Sequence, residues 1–316
     1  MEVNSFMEWR KSELKKIIFM LMVLIAGTVH GENITYKKNK KILTSIQAVY
    51  SIAKSLTKDT DIEVYSIFDS DVSMDYGKSA FDNKDLDLSS AKDAVAVVDV
   101  ARVWGNDYLY EYARRKNIRI VEIDASYSFS GNDYLSLSLL NYKNGDRNPY
   151  VWMSFQNVIK MANIAADDLS ELFPEDSKRI EDNLINFSQE IKEIENGYLE
   201  KTLDLSSLSV ITLTENLDYL FNDLNIFFNY VDSNELTVEK ISEVMKRNNS
   251  KIFISDRWIK KEIINEIEKK GGKFLVLDTF NIPREVDGKM DPDGYIKGMK
   301  ENMEKLVEAM KSMDKK

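Results

Sequence analysis

Five polar residues each close a short apolar run that reads as a strand: Asp69, Asp99, Asp124, Thr214 and Asp278. In an open parallel sheet, ligands sit beyond the carboxyl ends of the strands, so oxygen-bearing side chains there are the first candidates for a site. All but Thr214 are acids, a set that favours a cation. The same residue types also close Asx-turns and cap helices, and either use fits each position taken singly. Imidazole and thiolate chemistry is closed to such a site, because the chain has one histidine, His30, and no cysteine. His30 falls in what reads as an export signal. The mature chain therefore has no means for Ser-His-Asp or Cys-His catalysis, zinc-thiolate binding or an iron-sulfur cluster.

Other chemistry was sought by motif. No GxGxxG follows a strand and no GxxxxGK[ST] occurs, so an organic nucleotide cofactor has no cradle. The run Asp69-Ser70-Asp71-Val72-Ser73-Met74 starts like a calcium loop, but Met74 stands where the turn glycine belongs. Asp287 to Gly294 is also off-register and reads as a solvated turn. Paired carboxylates, Asp99 with Asp124, are the candidates for an acid-base enzyme, a reading set below that of a binding protein with no catalytic residues. With 43 basic against 53 acidic residues the net charge is -10, which argues against nucleic acid as a partner.

The elements that must position these residues alternate along the chain. Lys15 and Lys16, an apolar run from Ile17 to Gly27 and then Val29-His30-Gly31 read as a cleavable signal over 1–31, too short to span a bilayer. Without a cysteine no lipid anchor can follow it, so a periplasmic or secreted protein is expected. Strands are predicted at Ile42–Ile46, Ile62–Ile67, Ala94–Val98 and Ile118–Ile123, with helices at Ala48–Leu56 and Tyr108–Lys116. Two helices follow, over 154–172 and 174–203. In the second, Ile180, Leu184, Phe187, Ile191, Ile194 and Tyr198 recur at spacings of four and three. Strands resume at 208–213, 226–231, 252–254 and 274–277, with helices between them and a last helix over 295–310. Thr237 is expected to cap one helix and Gly271-Gly272 to stop another. The expected fold is α/β, two βα lobes with mainly parallel sheets, 32–173 and 204–316, joined by the long helix 174–203. Too few clean heptads occur for a coiled-coil seam, so a monomer is expected.

The segment Asn148-Pro149-Tyr150-Val151-Trp152-Met153-Ser154 resembles the D-P-H-x-W-L-S start of the central helix in the metal-binding proteins that serve zinc and manganese ABC transporters. Ser209 to Tyr219 is similar to that family's third ligand segment, and Phe274 to Phe280 to its final strand. The resemblance implies a solute-binding protein that hands its ligand to a membrane permease. It also implies where the ligand would sit: Met74, Tyr150 and Thr214, beside Glu215, stand at the family's histidine positions, and Asp278 at its carboxylate. A nitrogen-rich zinc site cannot be assembled from these residues.

Three readings of the altered pocket stay open. Oxygen donors Tyr150, Asp278 and Glu215, with Asp75 or Asp69, would hold a hard divalent or ferric metal ion as the transported ligand. Alternatively, Tyr76, Tyr150, Trp152 and Trp104 would stack on a metal chelate or other small solute. In the third, the site is degenerate and the scaffold serves as an adhesin or protein contact.

Overall fold

The computed structural model describes residues 40–68, 72–83, 89–128 and 133–314. The signal 1–31 and Asp69 lie outside the described residues. In the first sheet, β1 (Lys41–Thr44) and β3 (Ala96–Asp99) are buried on both faces and lie at the centre, as a two-sided apolar strand must. The more exposed β2 (Glu63–Ser66) and β4 (Val121–Asp124) form the edges, giving the all-parallel order β2-β1-β3-β4. The second sheet repeats that winding: β5 (Ser209–Thr212) and β7 (Ile252–Ser255) are central, β6 (Phe227–Tyr230) and β8 (Lys273–Val276) are the edges, and the order is β6-β5-β7-β8. A two-stranded hairpin, β9 (Glu285–Val286) with β10 (Lys289–Met290), follows.

Helices α1 (Gln47–Leu56), α2 (Lys78–Asp82) and α3 (Leu109–Arg114) accompany the first sheet. Two long helices come next, α4 (Phe155–Leu172) and α5 (Ser177–Thr202). Ser154 caps α4, its Oγ accepting from Asn157 N at 3.1 Å while donating to Asp223 at 2.8 Å. With 26 residues, α5 is about 39 Å long at 1.5 Å per residue. Its predicted apolar stripe packs inward at Ile180, Phe187, Ile191, Ile194 and Tyr198. Helices α6 (Asp218–Asp223), α7 (Ile241–Asn248) and α8 (Lys261–Lys269) belong to the second sheet, and α9 (Gly294–Asp314) closes the chain. Gly271, at φ +75°, ends the turn after α8 as expected. Thr237 precedes a 3-10 turn, Val238–Lys240, and its side chain caps nothing.

The lobes are braced by more than one rod. Helix α9 carries Tyr295, Met299, Met303, Leu306 and Met310 on one buried face, and the surface that covers them comes from α5 and α1. The chain must therefore cross back to the first lobe. Gln47 of α1 donates to Asp291 O at 2.8 Å and accepts from Arg284 N at 2.8 Å, and Asn183 of α5 donates to Leu56 O and Lys58 O. One apolar cluster consequently runs unbroken from Ile42 and Val98 in the first sheet to Val210 and Ile254 in the second.

Gly298 is where this packing has least slack. A Cβ there would lie 2.4 Å from the Phe280 ring and 2.7 Å from Arg284 Nη1. Gly298→Ala should lower stability by about 1–3 kcal/mol through overpacking, although alanine is the better helix former by about 1 kcal/mol. The urea midpoint measures the balance, and a stabilised variant would show that the α9 contact is loose.

Candidate functional site

Tyr150 lies two residues before Trp152 on the turn that leads into α4. Trp152 is fully buried: its Nε1 donates to Thr279 O at 3.0 Å and its carbonyl accepts from Tyr295 OH at 2.6 Å. Trp152 is therefore a core pin between the lobes, and no solute reaches its ring. The pin fixes Tyr150, whose ring packs against the indole at 5.3 Å and whose N–H donates to Asn148 Oδ1. Only 5% of Tyr150 is exposed, and its hydroxyl, which makes no hydrogen bond among the described residues, is not closed off from solvent. Burial raises its pKa, Asp75 and Asp256 raise it further, and Arg257 opposes them. The hydroxyl thus stays protonated at neutral pH, an available donor and acceptor near Asp75, Asp256 and Arg257.

The groups around it come from both lobes. Asp75, in the loop after β2, accepts from Asn281 Nδ2 at 3.1 Å and faces Arg257 Nη1 at 3.8 Å. Arg257 follows β7 by two residues and pairs with its neighbour Asp256, Nε to Oδ1 at 3.2 Å. Asp256, with a side chain 3% exposed, also accepts from Asn216 Nδ2 at 2.7 Å, across the switch point between β5 and β7. Tyr142 OH donates to Asn216 Oδ1 at 2.8 Å. Asp256 and Arg257 border an open hollow of about 860 Å³ that also includes Tyr142, Thr214, Tyr230 and Trp258, a size that suits an organic molecule.

Of the other expected residues, Thr214 and Glu215 line the same hollow as Asp256 and Arg257. Among the described residues no hydrogen bond joins Asp278 or Glu215 to Tyr150. Asp278 closes an Asx-turn, accepting from Phe280 N at 2.7 Å, and faces Arg284 Nε at 3.8 Å, while its backbone N–H and C=O are both bonded by Asn302 of α9. Burial raises its pKa against the pull of Phe280 N, Arg284 and Lys305. Glu215 accepts from Lys143 N at 2.6 Å, and Thr214 Oγ1 accepts from Asn216 N. Met74 is buried where its backbone meets Asn281 O, beside Trp104 in an apolar crevice, and Tyr76 is exposed. Among the described residues no three acidic side chains converge to share a metal ion. Asp256, Arg257, Tyr142 and Asn281 were not foreseen. The first two obey the strand-end rule at Ile252–Ser255, and applying it to that strand would have found them.

Asp99 and Asp124 are neighbours across β3 and β4, but they are 0% and 2% exposed, so no substrate reaches the pair. With Asp107 they form a buried acidic knot. Ser45 Oγ donates to Asp107 at 2.9 Å, Arg102 N donates to Asp124 at 2.9 Å, and Asp99 Oδ2 has no partner. Burial, then Asp107, Asp124 and Glu122, hold Asp99 well above the usual carboxylate range, and burial lifts Asp107 to about 6. A raised folded-state pKa gives stability that is full below the unfolded value and is lost as pH rises through the folded one. The protein should therefore lose stability as pH rises through about 6 and beyond. Asp99→Asn should reduce that loss and gain about 1–3 kcal/mol at pH 8, the cost of an unpartnered buried charge. Urea titrations at pH 5 and pH 8 test this, and an unchanged slope in the variant would remove Asp99 as the cause.

Known proteins show the same construction. The sequence model of a family described as ZnuA, zinc-uptake complex component A, periplasmic, matches residues 42–309. No curated protein matches the sequence. Among solved structures, FpvC from Pseudomonas aeruginosa in complex with Mn2+ is similar with a TM-score of 0.67 at 18% identity, covering 87% of this chain and 100% of its own. A crystal structure of ZnuA gives 0.65 at 18%, covering 85% and 98%. The metal-dependent lipoprotein YcdH from Bacillus subtilis gives 0.66 at 17%, again covering 85% and 98%. At these identities the likeness establishes the shared two-lobe fold.

Proposed function

The chain belongs to the ZnuA family, the periplasmic component A of zinc-uptake complexes, and we propose that it is the extracytoplasmic solute-binding protein of an ABC transporter, taking a metal-containing cargo into the cleft around Tyr150. The observation that carries this reading is the Tyr150 hydroxyl, on a nearly buried side chain yet open to solvent and without a hydrogen bond among the described residues, flanked by Asp75 from one lobe and by Asp256 and Arg257 from the other. A ligand can hydrogen-bond that hydroxyl or take it as a metal–oxygen donor while meeting charged groups from both lobes. A metal cargo accords with the Mn2+ held by FpvC. In this chain the oxygen donors around Tyr150 are Asp75 and Asp256, with Glu215 lining the adjoining hollow and Asp278 closing an Asx-turn.

The hollow beside Arg257 favours a second form of the same cargo, a metal chelate or other small solute, since a lone ion needs no space of that size. The protein works as a monomer that docks on a membrane permease and has no catalytic role. Its signal 1–31 is removed, and no cysteine is present to carry a lipid. Lobes 32–173 and 204–316 are linked by 174–203.

Elemental analysis of the mature protein, with a thermal-shift panel of metal salts and metal chelates, tests the reading. A bound cargo at a hundredfold over its Kd should stabilise the protein by about 2.7 kcal/mol. Tyr150→Phe should weaken that cargo about tenfold or more, in keeping with a lost hydrogen bond of roughly 1.4 kcal/mol. If no member of the panel shifts the melting temperature, the transport reading is lost. Tightly held zinc that survives Tyr150→Phe would place the site elsewhere.

A further inference from the structure

The metal positions of this fold are not merely changed in chemistry; the cleft already holds a positive charge of its own. Arg257 Nη1 reaches across the cleft to 3.8 Å from Asp75 Oδ2, while Nε and Nη2 lie 3.2 and 3.5 Å from the two Asp256 oxygens. The acids a metal would need are thus occupied. Asp256 is held by Arg257 and by the Asn216 amide, and Asp75 by Arg257 and the Asn281 amide. Amide N–H and guanidinium N–H are donors only, and they turn toward carboxylates as a metal ion would. No third acid approaches to outweigh them among the described residues.

We infer that Arg257 is the specificity-determining residue of the cleft, an internal cation bridging Asp75 and Asp256 that bars bare metal ions and admits a metal only when it arrives inside a small organic complex. The inference rests on the transport reading above and names the form of its cargo. A bare divalent ion must either displace a guanidinium from two carboxylates or sit beside it, like charge against like charge. A complexed metal avoids both costs, because its charge is met by its own ligands. Its organic shell can fill the hollow that Asp256 and Arg257 border, against Tyr142, Tyr230 and Trp258. Arg257 is held meanwhile by its pairing with Asp256, whose side chain is 3% exposed.

The mature full-length protein and three variants, Arg257→Lys, Arg257→Gln and Arg257→Gln with Asp256→Asn, are titrated calorimetrically with Mn2+ alone and with ferric citrate and a ferric trihydroxamate complex. The exposed position of Arg257 lets each variant fold, which the melting temperature without ligand checks. The expected result is weak or absent Mn2+ binding by the wild type and by Arg257→Lys, a gain of at least about tenfold in Arg257→Gln, and loss of that gain when Asp256 is also neutralised. Wild-type protein that binds Mn2+ as tightly as Arg257→Gln, or a glutamine variant that gains nothing, overturns the inference and leaves the family's transport role standing. A wild type that responds to neither complex, nor to Mn2+, sinks the transport reading itself. An Arg257→Lys protein that binds Mn2+ like the glutamine variant overturns the assignment to charge.

Discussion

The structure depends on the burial of Trp152 at the junction of the lobes. Its indole N–H is satisfied by Thr279 O from the loop after β8, its carbonyl by the Tyr295 hydroxyl of α9, and the backbone N–H of Tyr295 reaches Ser51 of α1. A single side chain thus ties the start of α4, the last strand of the second sheet, the final helix and the first lobe together. A buried indole N–H without an acceptor would be penalised, so the segments that supply its partners are held in register with it. Tyr150, two residues earlier on the same turn, inherits its position from this arrangement.

That geometry also separates two kinds of electrostatics. In the first lobe, Asp99, Asp107 and Asp124 are shut away from water, with backbone N–H groups and the Ser45 and Ser126 hydroxyls as their donors among the described residues. For Asp99 and Asp107 the cost of burial is borne as a shift toward the protonated form. In the cleft, Asp75 and Asp256 meet Arg257, Asn216 and Asn281, and remain paired. Strand-end acids such as Asp99 and Asp256 therefore have opposite fates, the one buried within its lobe and the other met by an arginine.

The fold was largely legible because its signals are local. Two-sided apolar strands such as Ile252–Ser255, the four-three stripe of α5 and the Ser154 cap are each written within a few residues. The site was legible only at Tyr150, whose segment carries its own motif. Asp278 reads as a ligand because it ends a strand, and the structure adds an Asx-turn to Phe280 on one of its oxygens and Asn302 against its backbone, the second of which depends on where α9 returns. Trp152 looked like a stacking surface, and its role as a pin depends on Tyr295, far along the chain. Arg257 was passed over because a positive residue is an unexpected occupant of a cation's place. Nothing near it in sequence says that Asp75 of the other lobe will face it.

A shared core constrains how any cargo enters. Lobes that close like jaws require an interface able to open, whereas here one apolar cluster passes through Tyr198, Trp152 and Tyr295 from sheet to sheet, and opening would expose it to water. Rigid-body separation is therefore costly, and the parts free to yield are those at the mouth: the Asp75 side chain, more than half exposed, and the neighbouring Tyr76. The 3.8 Å approach of Asp75 to Arg257 is looser than a hydrogen-bonded ion pair and is exposed to solvent screening, so Asp75 can swing away while Arg257 stays on Asp256. Access thus falls to a side-chain gate over a fixed floor, with Tyr150 held still beneath it by the same tryptophan that holds the halves together.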